Sequence, residues 1–147
     1  RLGRVVVKSD RDPTEELMAL LDRPEHADFA RALDAIEELP LEQIQTLTAQ
    51  HFSRLEGLSR HPSALARLAA VRALGRVRNL NHAPVLIRAL GDDNAEVAAE
   101  ARAGLLRLSR RTDETPTPPA NELQRRDEIA RWKAWLLAVR PDAEVAP

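Results

Sequence analysis

Apolar residues recur along most of this chain at the spacing that brings them onto one face of an α-helix. Residues 25–39 carry an apolar face made of Phe29, Ala32, Leu33, Ile36 and Leu39. Asn94 can cap a helix, and the residues after it repeat the spacing as Val97, Ala101, Leu105 and Leu108. The pattern predicts an all-α protein.

Proline, asparagine and glycine residues divide this pattern into about seven helices. Pro13 follows Asp12 in a favourable helix start, Pro40 stops the second helix and Pro62 opens the fourth. The first predicted helix begins at residue 12. The other six cover residues 25–39, 41–57, 62–77, 81–90, 94–110 and 121–139.

Two of these helices carry specific expectations about which residues face the core. The third is predicted to be continuous up to Gly57, because one stripe contains Ile44, Leu47, His51 and Leu55. The last is predicted to close the array and to face inward through Leu123, Ile129, Trp132 and Leu136.

The chain also repeats itself. The segment ARLAAVRALGRV from Ala66 aligns with VAAEARAGLLRL from Val97 at a shift of 31 residues, and a looser third copy starts at Asp28. Small residues align with small ones, as in Ala70 with Ala101. Short helices of this kind bury their apolar faces by stacking, so we expect about three helix pairs in a right-handed stack.

This template resembles the HEAT family, specifically the short bacterial repeats of the phycobilisome-lyase type. The resemblance covers residues 62–110 and rests on Ala66-Arg67, Ala70, Leu74-Gly75, Pro84, Leu86, Ala89-Leu90 and residues 92–97. The next copy departs from the family at Ala98, where an arginine is usual. Residues 126–135, RDEIARWKAW, are similar to the W-x-x-W tails that follow some bacterial HEAT arrays.

The resemblance implies an α-α superhelix, a HEAT-like solenoid that acts as a protein-binding or scaffold module. The predicted organisation is an extended lead-in (1–11), HEAT-like repeats (12–110), a Pro-rich linker (111–120), a capping helix (121–140) and a tail (141–147).

Charge is unevenly spread although the net charge is only -1. Residues 13–58 hold ten acidic and three basic side chains, whereas residues 59–91 hold six arginines and no acid. Such an uneven distribution of charge affects how the molecule associates with charged partners more than how it folds. The predicted partner-binding residues are Arg67, Arg72, Arg76, Arg78, Arg88 and Trp135. The alternative for the arginines is a solvated face, with Arg67 paired inside the molecule to Asp92 or Asp93.

The sequence offers no recognisable catalytic machinery, metal site or cofactor site. There is no cysteine, and the four histidines form no HxxH, HxxxH or HxxE unit. HEAT-like hydroxylases hold iron with His-Glu dipeptides, but here the residues after the histidines are Ala27, Phe52, Pro62 and Ala83. His51, on an apolar stripe, is expected to be a hydrogen-bonded core residue.

We therefore predict a non-enzymatic interaction module that binds another protein as an accessory subunit of a larger assembly, with no cofactor. Two alternatives stay open: a nucleic-acid or phosphate-binding HEAT-like domain, and an accessory domain of a lyase-type enzyme. Nucleic acid is the less favoured partner because no aromatic residues interleave with the arginines. No apolar run is long enough to span a membrane, so we expect a soluble domain. The chain starts at Arg1 and not at Met, so we expect that an upstream segment was removed or is not included. This segment could be a signal peptide, an anchor or another domain, so the sequence does not determine the compartment.

Overall fold

The computed structural model describes residues 13–111 and 116–141, and in these ranges the chain is built of helices without strands. The predicted all-α class is therefore confirmed. The described residues form eight α-helices and one 3-10 turn, Leu80–His82, joined by loops and turns. The helices are α1 Pro13–Leu21, α2 Phe29–Glu38, α3 Leu41–Gln45, α4 Ala49–Leu58, α5 Ala64–Gly75, α6 Ala83–Ala89, α7 Ala95–Leu108 and α8 Glu122–Val139.

Some of the sequence expectations lie outside the described residues. These are the lead-in at 1–11 with the cap at Asp12, residues 112–115 of the linker and residues 142–147 of the tail. The cap predicted at Asn94 is confirmed, since its side chain accepts hydrogen bonds from the backbone N–H groups of Glu96 and Val97. Asn121 caps α8 in the same way, by accepting from the N–H of Gln124.

The helices alternate between two layers. In one layer α1 packs against α4 and α6 packs against α8, and in the other α2, α5 and α7 lie side by side. The helices α1 and α2, α4 and α5, and α6 and α7 pack as pairs that join the two layers. The two aligned copies of the repeat, α5 and α7, are direct neighbours, as a stacking solenoid requires.

Small residues let the second layer pack closely. Ala70 and Ala101, which share one position of the repeat, are both completely buried. α5 and α7 lie close together at Gly75 and Gly104, where a Cβ added to Gly104 would stand 3.0 Å from the Cα of Gly75. Such an atom would require the neighbouring backbone to give by a few tenths of an ångström, in an interior packed at crystal-like density.

The prediction of one continuous helix between Pro40 and Gly57 is wrong. The helix is interrupted at Thr46–Thr48, and a new helix begins at Ala49, so α3 and α4 are separate helices. Thr48 and His51 form a reciprocal cap: the Thr48 hydroxyl accepts from the His51 N–H at 3.2 Å, and His51 Nδ1 accepts from the Thr48 N–H at 3.2 Å. A threonine that bonds to the backbone in this way favours a helix start over a helix interior.

His51 and the closing helix complete the core. His51 is buried, and its Nε2 is hydrogen-bonded to the Glu15 carboxylate, as the sequence predicted for a core histidine. In α8, Trp132 and Leu136 are buried as predicted, but Leu123 is 69% exposed, so its inward placement was wrong. Leu123 precedes Trp132 by nine residues, which at about 100° per residue puts it on the opposite side of the helix.

Candidate functional site

Arg67 is held inside the molecule at the start of α5. Its Nε and Nη2 donate to the two oxygens of Asp92 at 2.8 and 3.1 Å, and its Nη1 donates to the carbonyls of His61 and Pro62. The side chain is only 18% exposed. This bidentate pairing corresponds to the intramolecular alternative raised for Arg67, and it ties α5 to the segment that joins α6 and α7.

Arg72 joins three helices of the second layer. From α5 it reaches Glu37 of α2 at 3.1 Å and Glu100 of α7 at 3.3 Å. Burial alone would lower the pKa of this guanidinium, but the carboxylates of Glu100 and Glu37 outweigh it and the pKa is raised. The charge that looked unbalanced along the sequence is therefore partly neutralised between neighbouring repeats.

In successive repeats, Arg76 and Arg107 each donate hydrogen bonds to backbone carbonyls at the end of the preceding helix in the second layer. Arg76 donates to the carbonyls of Glu37 and Leu39 at the end of α2, and Arg107 donates to the carbonyl of Gly75 at the end of α5, at 3.2 Å. Carbonyls in the last turn of a helix lack an intrahelical partner and favour a cation. Sequence reasoning missed Arg107, although it aligns with Arg76 at the shift of 31.

Arg78 and Arg88 differ from Arg67, Arg72 and Arg76. Arg78 is exposed, and within the described residues it makes no hydrogen bond or ion pair. Arg88 of α6 is half-buried and donates to the Ser59 hydroxyl at 2.6 Å. Its pKa is lowered, first by burial and then by the positive charge of Arg60, against an opposing effect of Glu56.

Arg60 and Arg88 border an open cleft of about 440 Å³ between α4 and α6, which we call the arginine notch. Its other lining residues include Ser53, Glu56 and Asn81. These three residues also line a second cleft of about 460 Å³, which we call the Phe52 cavity and which has Leu47, Phe52 and Val77 on its apolar side. A basic notch and a partly apolar cavity thus adjoin on one face.

His82 lies beneath the Phe52 cavity and is 4% exposed. Neither ring nitrogen makes a hydrogen bond, and Nδ1 is 3.7 Å from the nearer Glu56 oxygen. The ring instead packs against Phe52, with centroids 4.5 Å apart. Burial lowers the pKa of His82, although the negative charge of Glu56 acts in the opposite direction.

Trp135 lies away from the arginine notch, on α8. It is half-buried and packs edge-on against Trp132 with ring centroids 5.3 Å apart. Both rings border a cleft of about 340 Å³ between α7 and α8. The floor of this cleft includes a buried ion pair in which both Nε and Nη2 of Arg102 donate to Glu128, the second at 3.0 Å. The six predicted partner-binding residues therefore do not form one patch.

Two kinds of feature are absent from residues 13–111 and 116–141. No three His, Cys, Asp or Glu side chains in these ranges are grouped so that they could hold a metal ion. None of the helices there combines the length and apolar character needed to cross a membrane.

Comparison with known proteins agrees with the two-layer stack. Residues 52–138, more than half of the chain, match the family model described as HEAT repeats. No curated protein and no solved structure matches the chain. The matched region runs from α4 to α8 and so includes the neighbouring repeats α5 and α7. The chain belongs to the HEAT repeat family.

Proposed function

We propose that this chain is a non-catalytic protein-binding module, an accessory subunit of a larger assembly. HEAT repeats commonly mediate protein–protein interaction and are generally non-enzymatic. The observation that carries the proposal is the division of roles among the arginines. Arg67, Arg72 and Arg76 join helices to one another, whereas Arg78 and Arg88 make no ion pair with any described carboxylate.

The mechanism is preorganisation. Arginine contacts that tie α2, α5 and α7 together fix the relative positions of the repeats before a partner arrives. A surface that is already ordered loses little conformational entropy on binding, so more of the contact free energy appears as affinity. Arg78 and Arg88 then orient an acidic partner, and Trp135 offers an aromatic contact on α8.

Charge reversal at the surface tests the proposal. The tagged chain, expressed in its native source, is expected to elute in gel filtration within a complex much larger than its own 16.4 kDa. Replacing Arg78 and Arg88 with glutamate should release it from that complex, because both substitutions place negative charge where an acidic partner docks. Arg67, Arg72 and Arg76 are left unchanged because their loss would loosen the stack itself.

A matched control carries glutamate at Arg31 and Arg126, which are exposed on α2 and α8 and pair only with near neighbours in the helix. This variant changes the net charge equally and should stay in the complex. Elution of the unmodified chain at its own mass would contradict the proposal. So would loss of the complex on nuclease treatment, which would identify nucleic acid as the partner.

A further inference from the structure

The arginine notch holds two positive charges that no carboxylate neutralises by direct contact. Within the described residues neither Arg60 nor Arg88 has an acidic oxygen within ion-pair distance, in contrast to Arg67, Arg72 and Arg102. Glu56 is the single acidic residue among those lining the notch. Two guanidinium groups beside one open cleft repel each other, and an anion placed between them would relieve that repulsion.

The Phe52 cavity lies next to the notch and shares Ser53, Glu56 and Asn81 with it. Leu47, Phe52 and Val77 give it an apolar side, and a volume of about 460 Å³ has room for a large apolar side chain. Asn79 and Asn81 border the same cavity; their amide oxygens accept from the Asn81 N–H and from Arg140, and their NH₂ groups can donate to a ligand. The face between α4 and α6 thus offers cationic, apolar and hydrogen-bonding contacts side by side.

We propose that the arginine notch and the Phe52 cavity together bind a short segment of a partner protein in which an acidic residue adjoins a large apolar residue. The carboxylate pairs with Arg60 and Arg88, and the apolar side chain enters the cavity against Phe52. This inference rests on the proposed protein-binding function, because it names the chemistry of the segment that the partner presents.

The charges of the notch favour a carboxylate over a phosphate chain. Arg60, Arg88 and Glu56 together give the notch a formal net charge of about +1, which one carboxylate balances and a run of closely spaced phosphates exceeds. An apolar cavity beside the cationic site also suits a peptide, in which apolar and acidic side chains alternate, better than a backbone charged at every unit.

A small synthetic probe tests this inference. The capped peptide Ser-Leu-Glu-Ser, added to the ¹⁵N-labelled chain at low salt, should shift the backbone amide signals of Ser53, Gly57 and Asn81 in NMR spectra. The peptides Ser-Leu-Gln-Ser and Ser-Ser-Glu-Ser should each bind more weakly, because each lacks one of the two contacts. These changes lie in the ligand, so they leave the folding of the protein untouched.

Variants of the protein provide the second arm. Arg60→Gln and Arg88→Gln should each weaken Ser-Leu-Glu-Ser binding by about threefold, the effect of losing one partly exposed ion pair. Arg126→Gln, on exposed α8 surface, should leave binding unchanged. The Arg60 side chain is exposed and makes no hydrogen bond with the described residues, and its backbone bond to Gly57 does not depend on the side chain, so the substitution should not affect folding.

Three results would overturn the inference: equal binding of the glutamine peptide, signal changes spread away from α4 and α6, or equal changes produced by inorganic phosphate alone. Its failure can be told apart from failure of the proposed function. If the peptide does not bind at the notch but the chain still elutes in a large protein complex, the partner docks elsewhere and only the present inference is lost.

Discussion

At the scale of single residues, two glycines set how closely α5 and α7 pack. A Cβ on Gly104 would stand 3.0 Å from the Cα of Gly75 and 3.3 Å from a methyl group of Leu86. The first of these neighbours is backbone, which cannot move away without separating the two helices. Gly57 in α4 is the opposite case, since a Cβ there would meet nothing within 4 Å.

We therefore expect Gly104→Ala to lower the free energy of unfolding by about 1.5 kcal/mol, because overpacking the core costs about 2 kcal/mol and the preference of alanine for helix offsets about 0.5 kcal/mol of it. Gly57→Ala is the control and should raise the free energy of unfolding by about 0.5 kcal/mol, because alanine favours helix. Urea denaturation followed by circular dichroism measures both. Two alanine variants of equal stability would mean that α5 and α7 do not approach as described.

His82 gives the stability of the fold a pH dependence. Above its ordinary pKa of 6.5 the ring is neutral in the folded and the unfolded chain, so it contributes no dependence there. Burial lowers the pKa of the folded state, so below pH 6.5 the unfolded chain binds a proton that the folded chain does not. The free energy of unfolding should therefore fall as the pH is lowered from 6.5 through the folded-state pKa.

The comparison of the unmodified chain with His82→Gln isolates this effect. Urea midpoints measured at about pH 7.5 and about pH 5.5 should differ less in the variant, which keeps polarity but cannot titrate in this range. The other histidines are common to both proteins and cancel. An equal loss of stability in both would show that His82 is not responsible.

At the scale of helices, the contact between α8 and α7 depends on a buried ion pair. The side chains of Arg102 and Glu128 are 6% and 11% exposed, and two hydrogen bonds join them. Removing one member of such a pair leaves the other charge buried without compensation.

Glu128→Gln should accordingly lower the free energy of unfolding by about 3 kcal/mol, within the range for breaking a buried pair. Glu122→Gln, at the exposed start of the same helix, should change it by less than about 0.5 kcal/mol. Thermal or urea denaturation of the two variants provides the measurement. If both behave alike, α8 is held by its apolar contacts alone.

The starts of α7 and α8 were predictable, because Asn94 and Asn121 cap these helices through local hydrogen bonds. The break between α3 and α4 was missed because apolar spacing runs through it, while the cap at Thr48 depends on how His51 orients. Leu123 was predicted to face inward, but it lies nine residues before Trp132 and therefore on the opposite side of α8.

The candidate site was less predictable than the helices. The sequence could raise the pairing of Arg67 with Asp92, since the repeat places them near each other. It could not show that Arg76 reaches the end of α2, because that contact depends on the offset between layers. The arginine notch was missed for the same reason, since only the tertiary arrangement of the helices brings Arg60 and Arg88 to the border of one cleft.

At the scale of the whole molecule, opposite charges that are separated along the sequence meet between repeats. Arg72 lies between Glu37 and Glu100, so it joins the acidic first part of the chain to the last repeat. On the face between α4 and α6, positive charge that no direct ion pair neutralises adjoins a partly apolar cavity. A preorganised stack with one such face is suited to binding.

Site-specific photocrosslinking tests most directly whether that face receives the partner. A photoreactive amino acid placed at Gly57, which borders the arginine notch and has open space around it, should form a covalent adduct with a protein in the native complex. The same group at Arg31, exposed on α2, should form none. Adducts from Arg31 together with none from Gly57 would contradict the account.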